Sequence, residues 1–215
     1  MNLRKYSYGS IAIYTVLLAL TAYGFTQLSG EIAIHFDASG QADGYMQLIP
    51  GILLMPGIAT AILIFFQYAP RIDPLGENYD SFEDLFELLK LLLVGIFTYI
   101  QGLIIAWNLG YRFNFSMLIA PVVFSAYLLA GKIMEKAERN WFIGIRTPWT
   151  LSSDKVWKET HEKTAPLMKL AAVISLVAVI FPDYSVYFYA VPAFAVAVFS
   201  TIYSYKVYSE IPEAE

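Results

Sequence analysis

The chain of 215 residues contains no cysteine, which excludes a disulfide framework and any thiolate metal site. It holds two histidines, His35 and His161. No nucleophile–base pair, phosphate-cradling glycine loop or ligand cluster accompanies them, so neither an enzyme nor a cofactor is expected. Charge is scarce as well. Only 15% of the residues are charged and 58% are hydrophobic, where a soluble domain averages about 25% and roughly 45–50%. Too little polar sequence remains to cover so much apolar helix. The expected class is an all-α integral membrane protein.

Six stretches supply the roughly 20 mostly apolar residues that a bilayer crossing needs: 7–28, 48–68, 86–107, 115–132, 165–182 and 185–205. The first is too long for a signal-peptide core and reads as a retained span. Lysine and arginine set the orientation. With the N-terminus inside, the inner segments carry Arg4, Lys5, Arg71, Lys132, Lys136, Arg139, Arg146, Lys155, Lys158, Lys163 and Lys206, and the outer segments only Arg112. Six transmembrane helices with both termini cytoplasmic are therefore expected. Lys90 and Lys169 lie near inner helix ends, from which they can snorkel to the interface. The short connections near 108–114 and 182–184 make spans three and four, and five and six, antiparallel neighbours.

The middles of the spans lack ionisable residues, which counts against a proton-coupled transporter. Gln101 and Asn108 are the strongest polar residues there. Pro56, Pro121 and Pro192 interrupt spans two, four and six, either as hinges or as ordinary span prolines. Ala193 and Ala197 form a small-xxx-small pair at a spacing close to chance.

The outer loop opens with Glu31 to Asp37, whose alternation suggests a short extended piece, and continues into turn-rich sequence with Ser-Gly and Asp-Gly dipeptides. His35, Asp37 and Asp43 invite a cation reading. The spacing is not that of an EF-hand, because Ala42 and Leu48 stand where Gly and Glu are needed. A compact turn closed by Asp37 or Ser39 is the favoured expectation, with no metal. The loop has no Lys or Arg and would suit basic or amphipathic ligands.

Two inner connections differ in charge. Residues 71–90 are acidic and residues 132–163 basic, so the two are expected to pair across the inner surface through individually weak ion pairs. The basic segment holds Trp141, Trp149 and Trp157 and should lie along the membrane interface. Gly144 permits a tight turn, and Pro148 forces Thr147 out of helical geometry. Ser152 looks like a helix cap, with Leu151 and Val156 as a hydrophobic staple. A helix is then expected from Ser153 through Trp157, Thr160 and His161, with Pro166 bending or restarting it. His161 reads as a hydrogen-bonded structural residue.

Arg139 to Thr150, followed by Leu151-Ser152-Ser153, Val156-Trp157 and Thr160-His161, closely resembles the signature of the SdpI-type immunity membrane proteins. His35-Phe36-Asp37 to Gly40, then Asp43-Gly44-Tyr45, is similar to the small domain of unknown function that often precedes it. The resemblance implies a multi-pass cell-membrane protein that protects against a secreted peptide toxin. It also implies a receptor role, in which toxin binding outside lets the protein hold a transcriptional repressor at the membrane. The implied division is a two-span unit, 1–68, and a four-span SdpI-like unit, 69–215.

The sequence thus predicts a non-enzymatic immunity or receptor protein, with a small transporter or channel as the alternative. Its outer candidates are His35, Phe36, Asp37, Asp43 and Gly44. Its inner candidates are Arg139, Asn140, Gly144, Arg146, Thr147, Pro148, Trp149, Trp157, Thr160 and His161. Its expected partners are the lipid bilayer, a peptide toxin outside and a repressor protein inside, with no direct contact to nucleic acid.

Overall fold

The structure is a computed structural model that describes residues 3–211, with side chains from Ser7 onward. The expectations for the side chains of Arg4 and Lys5 and for the two termini fall outside what is described. Helix α1 (Leu3–Gln27) leads into a hairpin of β1 (Glu31–Phe36) and β2 (Ala42–Gln47), then α2 (Leu48–Ile72). A 3-10 segment, Gly76–Phe82, precedes α3 (Glu83–Asn108). Helix α4 (Phe115–Met134), the short α5 (Pro148–Ser152), α6 (Asp154–Ser175) and α7 (Ser185–Ser209) complete the order. Helices α1, α2 and α3 pack on one another; α4, α6 and α7 form a second group, joined to the first mainly through α3 and α4.

The molecule has two dissimilar ends. The hairpin, residues 109–114 and residues 176–184 lie at one, here the hairpin end. Residues 73–82 and 135–153 lie at the other, the loop end. The two ends of the described chain meet the loop end: Ser7 donates to Glu87 Oε2 (3.1 Å), and Ser204 receives a bond from Thr147 (3.0 Å).

Among the described residues five helical stretches are long and apolar enough to cross a membrane, where six were expected: those ending in α1, α2, α3, α4 and α7. Helix α6 is the exception. Its first three turns carry Asp154, Lys155, Lys158, Glu159, Glu162 and Lys163, and after Ser175 it tightens into a 3-10 turn at Leu176–Val179. It runs unbroken through Pro166.

The prolines inside the apolar helices explain several polar side chains. A proline has no N–H, so the carbonyl four residues earlier loses its partner and the preceding turn loosens. Pro56 frees the carbonyl of Ile52, and fully buried Gln101 on α3 donates to it at 3.1 Å. Before Pro121, Tyr99 on α3 donates to the Leu118 carbonyl (3.0 Å). Before Pro192, Tyr127 on α4 donates to the Tyr189 carbonyl (3.0 Å). Gln101 thus meets the carbonyl that Pro56 frees, while the two tyrosines bond carbonyls three residues before their prolines, in the loosened turn; donors on neighbouring helices are how such breaks are tolerated in lipid.

Two expectations need correction. Lys90 does not snorkel outward: its side chain is 12% exposed and held by Glu87 at 2.6 Å, because a partner within one turn is cheaper than a stretched stem. On α7 the buried face runs through Val196, Ser200 and Ser204, while Ala197 is exposed, so Ala193 and Ala197 are not the close-approach pair.

If Gln101 serves Pro56, the two positions are coupled. Gln101→Leu should destabilise the fold by about 1 kcal/mol more in the natural chain than in a Pro56→Ala background, where residue 56 regains its N–H. Denaturation of the four proteins in detergent micelles measures that difference; equal costs in both backgrounds would refute the coupling.

Candidate functional site

The loop end is built by side chains that bind backbone. Arg139 anchors its start: Nε meets Asp154 Oδ1 at 2.5 Å and Nη1 donates to the Leu151 carbonyl at 2.7 Å. Asn140 is fully buried and uses its whole carboxamide. Its Oδ1 accepts from the N–H groups of Phe142 (3.0 Å) and Ile143 (2.7 Å), and its Nδ2 donates to the carbonyls of Glu138 (2.9 Å) and Ile143 (3.0 Å). One side chain thereby shapes the turn.

Gly144 follows at φ +119°, a conformation that L side chains rarely adopt. A Cβ there would lie 2.6 Å from His161 Nε2 and 3.1 Å from the Trp157 ring. This close approach lets the Ile145 N–H donate to His161 Nε2 at 2.9 Å. The other ring nitrogen, Nδ1, donates to the Trp157 carbonyl at 2.8 Å. With one nitrogen accepting and the other donating, the ring is the neutral Nδ1–H tautomer. Burial pushes the His161 pKa down to about 4, against the opposing pull of the Trp157 carbonyl. Trp157 stacks on this ring at 4.1 Å and donates Nε1–H to the Ala137 carbonyl (2.7 Å). It is a core residue, not the expected interfacial anchor.

Thr147 caps α5 by a reciprocal box with Thr150, and Pro148 occupies the first turn, where no N–H is needed. Thr150 Oγ1 also donates to the Ile145 carbonyl (2.8 Å). Trp149 packs on Tyr205 of α7 at 5.0 Å. The cap of α6 is Ser153, which accepts from Val156 N–H, and not Ser152, whose hydroxyl bonds the Trp149 carbonyl. The sequence reading missed α5, which takes up the residue of offset. Arg146 is exposed and donates to the Trp141 carbonyl (2.8 Å). Thr160 is buried, with no hydrogen-bond partner for its hydroxyl among the described residues. A cavity of about 490 Å³ opens beside these groups, bordered by Arg139, Asp154, Lys158 and His161.

The acidic and basic connections do meet. Lys136 approaches Asp84 at 3.7 Å, but most of the joining is done by neutral and backbone groups. Asn78 donates to the Arg139 carbonyl (2.6 Å), and buried Asp73 accepts from the N–H of Trp141 (2.8 Å) and the hydroxyl of Tyr79 (3.0 Å). In the sequence Asp73 stands only as one of the acidic charges of residues 71–90, with no role of its own. The Asp73-Pro74 dipeptide is the turn signal that marks it.

At the hairpin end the sequence suggested one extended piece and a turn; the structure has two paired strands. His35 and Asp43 meet at 2.5 Å across them. Asp37 is committed elsewhere: its Oδ1 accepts from Ser39 Oγ (2.7 Å) and Gln41 N–H (3.0 Å), which hold its pKa below the usual value and close the turn. The three groups do not converge on one point. Phe36 stacks on Phe115 at 3.8 Å and meets Trp107 edge-on. Gly44 faces His35 so closely that a Cβ would sit 2.8 Å from its Cβ. Asn108 grips the backbone of Ala33 on both sides, accepting from its N–H (2.8 Å) and donating to its carbonyl (3.0 Å).

A bundle of apolar helices with irregular, side-chain-clasped ends defines a polytopic membrane protein. Within it, residues 136–204 match the SdpI/YfhL protein family and residues 11–60 match a domain of unknown function, DUF1648. The chain thus has a region similar to the SdpI/YfhL family behind one similar to DUF1648. It is 31% identical over 105 residues to the immunity protein SdpI of Bacillus subtilis (strain 168), an alignment covering 48% of this chain and 51% of that protein. The chain thus spans about half the length of this curated relative. No solved structure matches it significantly.

The His161 arrangement fixes a pH response. Unfolded, His161 takes up a proton below about pH 6.5; folded, it does so only near pH 4. The stability it contributes is intact above pH 6.5 and is lost as pH falls from there to about 4. Thermal unfolding midpoints between pH 7.5 and 4.5 should show this acid-labile component, and His161→Phe should flatten it. Gly144→Ala should destabilise the clasp by about 1–3 kcal/mol; an unchanged midpoint in that variant would contradict the clasp.

Proposed function

We propose that this is a cell-membrane immunity protein that confers resistance to a membrane-active peptide toxin, with the hairpin end outside and the loop end in the cytoplasm. The observation that carries the reading is the 31% identity to an immunity protein over about half of each chain. In this reading the chain crosses the bilayer six times with both termini cytoplasmic. Helix α6 supplies the remaining crossing, with its polar first turns at the inner interface. The concentration of lysine and arginine at the loop end supports that orientation. Residues 1–68 act as an N-terminal unit and 69–215 as the SdpI-like unit; the two family matches fall inside these bounds.

The hairpin end presents the surface that meets the toxin: His35, Asp43 and Gly44 lie on it, and Phe36 and Asp37 hold its shape. At the loop end Arg139, Asn140, Gly144, Thr147, Pro148, Trp157, Thr160 and His161 shape a platform, and Arg146 and Trp149 lie at its accessible edge. This platform offers a docking surface for a cytosolic repressor protein, so that toxin presence is relayed inward.

Expression in a toxin-sensitive cell, followed by challenge with membrane-active peptide toxins, tests the reading. The natural chain should protect; failure against every such toxin overturns it. Arg146→Ala and Trp149→Ala should leave insertion and expression intact while weakening protection or recruitment of the repressor. Undiminished protection and recruitment in both would confine the function to the hairpin end.

A further inference from the structure

The two edges of the hairpin are treated differently. Leu48 N–H donates to the Gly30 carbonyl (2.8 Å), so residues 30 and 48 form a hydrogen-bonded pair. Partners in an antiparallel ladder alternate between bonded and non-bonded pairs. Ala33 and Tyr45 therefore face each other as a non-bonded pair, and the N–H and carbonyl of each point away from the hairpin. On the β1 side the fold fills both positions with the carboxamide of Asn108, which acts as a one-residue third strand. On the β2 side no hydrogen bond to the Tyr45 backbone comes from outside the hairpin among the described residues.

Open strand edges are usually blunted by lysine, proline or a covering element. β2 (Ala42–Gln47) contains neither residue, and Asp43, Tyr45 and Gln47 are exposed along it, Tyr45 at 61%. The charge around this edge is of one sign. Glu31, Asp37, Asp43 and Asp183 belong to the hairpin end, Asp43 with one oxygen held by His35; the one lysine or arginine there among the described residues, Arg112, is occupied with the Trp107 carbonyl (2.6 Å) and ring.

We propose that β2 is the docking edge for an extended, cationic peptide segment, which adds to the hairpin as a third strand. The segment's backbone bonds the outward N–H and carbonyl of Tyr45, and its basic side chains lie beside Asp43. Main-chain bonding of this kind supplies affinity, and the alternating side chains supply selectivity. The proposal rests on the immunity reading and specifies the form in which the toxin is met.

The test uses the full chain in lipid nanodiscs and a labelled octapeptide of alternating lysine and valine. A second octapeptide of the same sequence is N-methylated at alternate residues, so it cannot pair. Tyr45→Pro removes the outward N–H at an edge position where proline is tolerated and no hairpin bond is lost. The first peptide should bind the natural chain and Tyr45→Phe alike, and Tyr45→Pro about tenfold or more weakly; the methylated peptide should not bind. Equal binding to the natural chain and Tyr45→Pro, or equal binding of the two peptides, overturns strand addition. The peptide comparison needs no variant and stands even where Tyr45→Pro fails to fold.

Because the chain has no cysteine, Tyr45→Cys gives a clean further measurement. Disulfide-linked pairs of that variant would show a second copy on the edge and overturn the proposal. A chain that protects cells but binds neither peptide loses only the strand site. A chain that protects against no toxin loses the immunity reading as well.

Discussion

Backbone groups in a bilayer have no water to turn to, and each one left unpaired costs several kcal/mol. Beside Pro56, Pro121 and Pro192 in this protein's apolar helices, a neighbouring helix supplies a hydroxyl or amide to a carbonyl of the preceding turn. These bonds do more than repair a defect. Gln101 joins α3 to α2, Tyr99 joins α3 to α4 and Tyr127 joins α4 to α7. Apolar side chains have little reason to prefer one another over lipid, so directional bonds of this kind fix which helices are neighbours and in what register.

The same constraint governs the ends of the bundle, where the chain is irregular and partly buried. Asn108 holds Ala33, Asn140 holds the turn at 140–143, Asp73 holds Trp141, and His161 holds Ile145. In each case a short polar side chain on one segment satisfies backbone on another. The imidazole suits its place because a neutral ring is donor and acceptor at once, and the chain needs both functions within one turn of α6. Glycine at 144 is the complement of that ring, since any side chain would occupy the space through which the bond forms.

Much of this was legible in the sequence. The helix pattern, the turn at Gly144, the structural role of His161 and the Asp37 turn follow from residue chemistry and local spacing. What could not be read depends on contacts between distant segments. The partner of Gln101 is a carbonyl about fifty residues away, released by a proline whose effect is visible only once α2 and α3 are side by side. β2 was hidden because its Asp43-Gly44 dipeptide reads as turn, yet pairing with β1 holds the segment extended. Helix α5 was hidden because five residues carry no periodicity, and missing it displaced the cap of α6 by one. Trp157 was misplaced because tryptophan favours interfaces on average, whereas here its indole N–H has a buried carbonyl to meet.

A signature can identify a way of folding without identifying a contact surface, and the loop end illustrates the difference. The polar groups of Asn140, Thr147, Trp157 and His161 are spent on this chain's own backbone, and little of them remains to meet a partner. Between Asn140 and Thr150 the exposed side chains are Trp141, Arg146 and Pro148, with Trp149 half-buried beside them. At the hairpin end the division repeats: Phe36 and Asp37 build the structure, while Asp43, Tyr45 and Gln47 remain outward. Losing an inward residue removes the platform and every activity on it together. Losing an outward one leaves the platform standing, so on the proposed reading selectivity among toxins or partners would belong to positions that a family signature has no physical reason to include.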